Sequence, residues 1–377
     1  MDEKRIETVP ERDTVSENEK KAAGMPYKPA VKRLRLLLMF FLCIDLFGFP
    51  IIISSLAEAS VYVQKVCGFV PLAFYIISGY LVLRDDEDRS ARILRTIKRS
   101  AIVFGVMTVA YLIVNYAYYT LLGAGNEMLV SLTNLRGWFN FLVLNVWQYD
   151  IGNSIWFVQG ILYAYVIIYF LDKWKLLKYD WLISLLFILA AVATGELSGL
   201  LNFNILGYEF IPGNFLTRAL PYLLLGRCIH RNIHRFTKVK KWVWLIAGLV
   251  GVVLVVGEIY LLNLSGAVGY YGHLIGMLVI AVCLCVPAFL KRGSAEGIER
   301  KLKMTRQDIN VIYYICEAVY AAATVGLGLF MGAVGQYEYF PLVFTWIGVI
   351  TFVVSFLIAW LISWLKRVAR SGKVKAK

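Results

Sequence analysis

VPLAFYIISGYLVLRDDEDRSARILRTIKRS, residues 70–100, shows the pattern that organises the chain: an apolar run stops abruptly at a segment crowded with Arg and Asp. A bilayer crossing takes about 20 mostly apolar residues to pass roughly 30 Å of hydrocarbon. The run at 61–83 meets that requirement, and so do stretches at 34–57, 100–122, 153–171, 180–197, 242–263, 271–290, 307–333 and 340–365, with a shorter one at 216–229. Taking alternate connections as cytoplasmic leaves only Lys65, Arg136 and Arg218, of 39 Lys and Arg, on the opposite side. Short basic loops resist translocation, so the bias sets orientation as well as span number. The expectation is an all-α polytopic integral membrane protein with about ten transmembrane helices and both termini cytoplasmic.

Composition agrees with lipid as the solvent. Apolar residues are 59% of the chain and charged residues 17%, a balance that could not cover a water-exposed surface. The net charge of +14 does not point to nucleic acid, because topology already accounts for where the basic residues fall. Six cysteines form no CxxC pair, and Cys283 and Cys285, two apart on a helix, point to different faces. Neither a metal site nor a disulfide framework is expected. Residues 1–33 are charged and interrupted by proline, which reads as a disordered cytoplasmic tail. No cleavable signal peptide is expected, the first span itself directing insertion. The membrane domain is expected over 34–365 and a second basic tail over 366–377. No internal repeat is visible.

Two longer outward segments stand out. Residues 123–152 carry Trp138, Phe139, Phe141 and Trp147, either an interfacial aromatic belt or a re-entrant piece. Residues 198–215 mix apolar and turn-forming types. Among the cytoplasmic connections, 84–99 reads as a stop-transfer loop or an interfacial helix.

Ionisable residues inside spans are costly and so are functional candidates. They are Asp45, Glu58, Glu196, Arg218, Glu258, His273 and Glu317. Asp45 follows Arg33 by twelve residues, which places it roughly 18 Å in from the basic collar. Asp45 and Glu317 are the most demanding of partners, and Arg218 and His273 are candidates for that role. A buried pair that only fixes helix packing is the competing explanation.

Ser78, Gly79 and Tyr80 end the second span before its basic loop. Trp156 and Phe157 open NSIWFVQGILYAYVIIYFLDKW, and Pro221, Tyr222 and Gly226 lie in LTRALPYLLLGRCIHRN. In order and in span position these stretches resemble the membrane-bound acyltransferase family 3, over roughly residues 31–365. The resemblance implies transfer of an acyl group, usually acetyl, from cytoplasmic acyl-CoA to a hydroxyl of a cell-envelope glycan or lipid-linked sugar. It also implies a bacterial cell membrane, membrane lipid as solvent and no tightly bound cofactor.

That family carries an Arg followed about three helical turns later by a His taken as the catalytic base. Here Arg33 is followed by Asp45. A His in the last spans is likewise absent from INVIYYICEAVYAAAT, which offers Cys316, Glu317 and Tyr320. Desolvation can bring a carboxyl into the range where it works as a base. The resemblance then makes Asp45 the catalytic group. It places Arg33, Arg35 and Arg84 at the CoA phosphates, with ordinary positive-inside charge the alternative for Arg84. Ser78, Gly79, Tyr80, Trp156, Arg218, His273 and Glu317 complete the candidate substrate site, with no metal. A scaffold that has lost the chemistry and serves as a glycan exporter, permease or sensor is the alternative.

Overall fold

The computed structural model describes residues 29–47, 57–121, 123–145, 147–149, 151–152, 154–194, 215–264, 274–290, 306–334 and 346–375. All of its regular structure is helical. In chain order the first helices are α1 (Pro29–Phe47), α2 (Ala57–Cys67), α3 (Phe69–Val82), α4 (Arg89–Leu121), α5 (Gly125–Ser131) and α6 (Leu135–Leu144). They are followed by α7 (Ile155–Lys173), a 3-10 turn at Leu176–Tyr179, α8 (Asp180–Thr194), α9 (Phe215–Arg218) and α10 (Leu220–Phe236). The last four are α11 (Lys241–Leu264), α12 (Ile275–Leu290), α13 (Arg306–Val334) and α14 (Ile347–Lys375).

Among the described residues, seven helical stretches are long and apolar enough to cross a membrane: 62–82, 89–121, 155–173, 176–193, 241–264, 308–327 and 347–369. The protein is therefore an all-α, polytopic membrane protein. Helices α1, α10 and α12 occupy the other three expected positions. Of these, α12 is apolar but only 16 residues long, and α10 carries Arg227, Arg231, His234 and Arg235 along its second half.

Several boundaries differ from expectation. Helix α1 begins at Pro29, inside the stretch expected as tail, because proline suits a first helical turn whose N–H groups have no helical partner; residues 1–28 lie outside the described residues. Helix α4 is continuous from Arg89, so most of the basic 84–99 segment belongs to the same helix as the span that follows rather than to a separate loop or interfacial helix. Ala, Arg and Lys are strong helix formers, which also carries α14 through its basic end to Lys375.

Helix α3 is the centre of the bundle, with thirteen of its fourteen residues buried. It packs on α10 and α12, while α1 lies against α2, α3, α12, α13 and α14. In lipid there is no hydrophobic drive bringing one apolar helix to another, so close packing and hydrogen bonds must hold the bundle. The sequence provides for this at Gly79 and Gly226. A Cβ at Gly79 would sit 2.0 Å from the Leu223 carbonyl oxygen, and one at Gly226 would sit 2.2 Å from that of Ile76. The α3–α10 crossing is thus backbone against backbone. The same device joins α11 to α12, where a Cβ on Gly276 would meet the Gly251 carbonyl oxygen at 2.4 Å.

The residues flanking Gly79 lock the neighbours. Ser78 Oγ and Tyr165 Oη on α7 share a hydrogen bond of 2.8 Å. The Tyr80 ring stacks on Phe289 of α12, with centroids 3.8 Å apart. Three consecutive residues therefore address three different helices.

At the basic end, ion pairs tie the connections together. Arg227 bridges Asp85 at 2.6 Å and Asp180 at 2.9 Å, and its guanidinium also donates to the Leu177 carbonyl. Arg89 joins Asp85 to Asp172. Burial pushes the Asp85 carboxyl up, but the hydrogen bond and charge of Arg227, with Arg89 and Arg231 beside it, outweigh that and hold it below the usual carboxylate range.

The crossing makes a direct prediction. Gly79→Ala must displace a backbone carbonyl rather than a flexible side chain, so it should destabilise by about 1–3 kcal/mol. Gly105→Ala, at a helical glycine with nothing within 4 Å, should be neutral or stabilising. Thermal unfolding in detergent compares the two, and equal melting temperatures would contradict the close crossing.

Candidate functional site

A cavity of about 380 Å³ opens between α1, α3, α4, α7, α13 and α14. One end is polar and basic, formed by Arg35, Thr96, Arg99, Ser100, Asn310 and Lys366. Thr96, Arg99, Ser100 and Val103 share a face because they recur at i, i+3, i+4 and i+7. Lys366 is held there by Asp308, 3.2 Å away. Arg35 is almost fully buried. Phe74, Phe157 and Tyr313 are part of its lining.

Those three rings also line a second, much smaller chamber of about 10 Å³, together with Asp45, Leu42, Leu46, Pro71, Ser154 and Trp156. The two spaces are thus divided by an aromatic wall, in which Phe157 touches both neighbours, Phe74 at 6.0 Å and Tyr313 at 5.3 Å between centroids. Helix α1 runs the length of the arrangement. Arg35 and Met39 face the cavity, and Leu42, Asp45 and Leu46 face the chamber, as expected for one face of a helix. From Arg35 to Asp45 is about 15 Å along the axis.

The helix carboxylates Glu317, Glu258 and Asp45 divide by what they bind. Glu317 accepts the backbone N–H groups of Gly152 and Ser154, each at 2.5 Å, where the chain enters α7. Glu258 accepts those of Ile275 and Gly276 at the start of α12, at 3.1 and 3.2 Å. Both occupy helix starts, whose first N–H groups have no helical partner and whose dipole favours negative charge. Asp45 differs. Its backbone carbonyl accepts from Gln64 at 2.7 Å, but its carboxylate makes no hydrogen bond among the described residues and faces the charges of Arg218 and Lys65. Arg218 in turn lies over the Trp156 ring, 4.7 Å from its centroid.

The loop ahead of α7 is clamped from several sides. Asn115 exchanges hydrogen bonds with Ile151, and the Tyr313 hydroxyl donates to the Ser154 carbonyl. The aromatic patch at 138–147 forms the packing of this region. Phe141 and Trp147 are buried and 4.8 Å apart, while Phe139 is exposed.

A family model described as an acyltransferase domain matches residues 34–364. The chain belongs to that acyltransferase family. No curated protein matches, and no solved structure does. The region matched begins in α1, ends in α14 and takes in every residue of the cavity and chamber named above except Lys366.

Within this acyltransferase domain the candidate residues separate. Asp45, Trp156 and Arg218 come together at the chamber, and Arg35 and Ser78 line the cavity. Arg33 is exposed on α1 and Arg84 lies beyond the end of α3, where its carbonyl accepts from Arg92; neither lines the cavity. Gly79 and Tyr80 hold α10 and α12 rather than facing it. Glu317 fixes the entry to α7. His273, Glu196 and all of 198–214 lie outside the described residues, and no group of three His, Cys, Asp or Glu is placed to hold a metal among those described. Arg99 and Lys366 also line the cavity, and their charge did not set them apart in the sequence, because topology already explained it. The i, i+3, i+4 spacing of Thr96, Arg99 and Ser100 was the available signal.

Glu317→Gln tests the clamp. A carboxamide offers one acceptor oxygen and turns its NH2 toward the second N–H, so a loss of about 1–3 kcal/mol in stability is expected, read by thermal unfolding. Unchanged unfolding would remove Glu317 from its place at the α7 entry.

Proposed function

We propose that the protein is an O-acyltransferase of the cell membrane, taking an acetyl group from acetyl-CoA on the cytoplasmic side and passing it to a hydroxyl of a cell-envelope glycan or lipid-linked sugar. On this proposal the chain crosses the membrane ten times, α1, α10 and α12 adding to the seven long spans. Its termini and the basic end of the bundle are cytoplasmic, and the membrane is bacterial. The observation that carries the proposal is α1 itself, which sets Arg35 in a basic cavity and Asp45 in a chamber beyond one aromatic wall.

Arg35, Arg99 and Lys366 suit the phosphates of CoA, which charged and bidentate donors bind best. The linear pantetheine arm then follows the α1 face inward and brings the thioester carbonyl to Phe74, Phe157 and Tyr313. Asp45 accepts the proton of the acceptor hydroxyl as its oxygen attacks that carbonyl. The tetrahedral intermediate collapses with loss of the CoA thiolate, which takes the proton back from Asp45 and leaves as the thiol. Arg218 keeps the charged carboxylate favourable until the proton arrives.

Removing a general base lowers rate by about 10²–10⁴-fold. Asp45→Asn in reconstituted protein should therefore lose acetyl-CoA turnover by that factor while still inserting and purifying as the wild type does. Retained turnover would rule Asp45 out as the base.

Chamber size limits the acyl group. A chamber of about 10 Å³ holds roughly one water-sized group, enough for a methyl. Each added methylene should then be disfavoured about 10–200-fold. Phe157→Ala joins chamber to cavity and should sharply lower the preference for acetyl-CoA over butyryl-CoA, measured as the ratio of kcat/KM values. An unchanged ratio would mean that the wall does not measure chain length.

A further inference from the structure

We propose that the groove between α11 and α12 binds one anionic phospholipid from the leaflet at the basic end of the bundle. The two helices meet backbone to backbone at Gly251 and Gly276, and a groove of about 370 Å³ lies between them toward Lys241. Its floor is apolar, with Gly248 and Val252 on one side and Ile280, Cys283 and Pro287 on the other. From Lys241 to Val252 it runs about 16 Å, close to half the hydrocarbon thickness. That is the depth one acyl chain occupies in one leaflet.

The polar end supplies the second half of a lipid site. Trp244 lines this end of the groove. Lys241 lines the same end, and Lys238 and Lys240 are exposed immediately before it. Three ammonium groups and the start of a 24-residue helix favour a negative headgroup. A neutral lipid would fill the groove without meeting that charge.

Native mass spectrometry of the full chain in detergent, with phosphatidylglycerol or phosphatidylcholine of matched chains, reads the site. One phosphatidylglycerol should be retained where phosphatidylcholine is not. Lys240→Gln and Lys241→Gln should each weaken retention about fivefold. Gly248→Leu should abolish it. A Cβ there meets only Cys283 Cβ at 3.7 Å, so the added side chain fills the groove without disturbing the helix contact, and an unchanged melting temperature verifies this. Equal retention of both lipids, an adduct that survives Gly248→Leu, or a dimer that Gly248→Leu dissociates would each overturn the proposal, the last by making a second copy the occupant.

Discussion

Two absent side chains, at Gly79 and Gly226, let the backbones of α3 and α10 touch, and the remaining architecture takes its register from that contact. A bilayer offers no hydrophobic gain for pressing one apolar helix on another, so dispersion across a close crossing and hydrogen bonds between helices must hold the bundle. With α3 seated on α10, Ser78 is turned to Tyr165 and Tyr80 to Phe289. Phe74, one turn earlier, then enters the wall between cavity and chamber. The division of the site thus follows from how closely two helices approach one another.

Buried carboxylates in lipid need a favourable partner, and this protein uses two kinds. Glu317 and Glu258 receive backbone N–H groups at helix starts, where the local dipole takes the place of a cation. Glu317 in this way joins segments far apart in sequence, and Glu258 joins two consecutive helices. Among the described residues the Asp45 carboxylate meets charges rather than hydrogen-bond donors, in a chamber with space beside it. A carboxylate satisfied by two N–H donors has its lone pairs engaged and is a poor proton acceptor. One that faces cations across a small void keeps its acceptor capacity, and this contrast separates Asp45 from the other two.

Much of the fold was legible before any coordinates. The helical class and the existence of the long spans follow from apolar runs broken by basic loops, since lipid admits only helices and closed barrels and a continuous apolar run of about 20 residues is not the alternating pattern of a barrel strand. Element ends were less legible. Arg89–Arg99 belongs to α4, and Pro29–Arg33 to α1, because helix propensity continues past the point where hydrophobicity ends. Of the residues around the candidate site, Asp45, Trp156, Arg218 and Arg35 had been singled out by type and position. Arg99 and Lys366 were not, since each lies among charges that topology already requires, and the packing of α4 and α14 selects these two.

The amino-acid sequence by itself determined that this is a helical membrane protein of an acyltransferase family with a carboxylate deep in its first helix. Hydropathy, charge bias and motif order are properties of the linear chain, and each survives without knowledge of contacts. Only the tertiary structure decided which ionisable residues hold the bundle and which face a void. That distinction depends on the N–H groups at the start of α7 and α12 reaching Glu317 and Glu258, and on three aromatic rings from α3, α7 and α13 meeting in one wall.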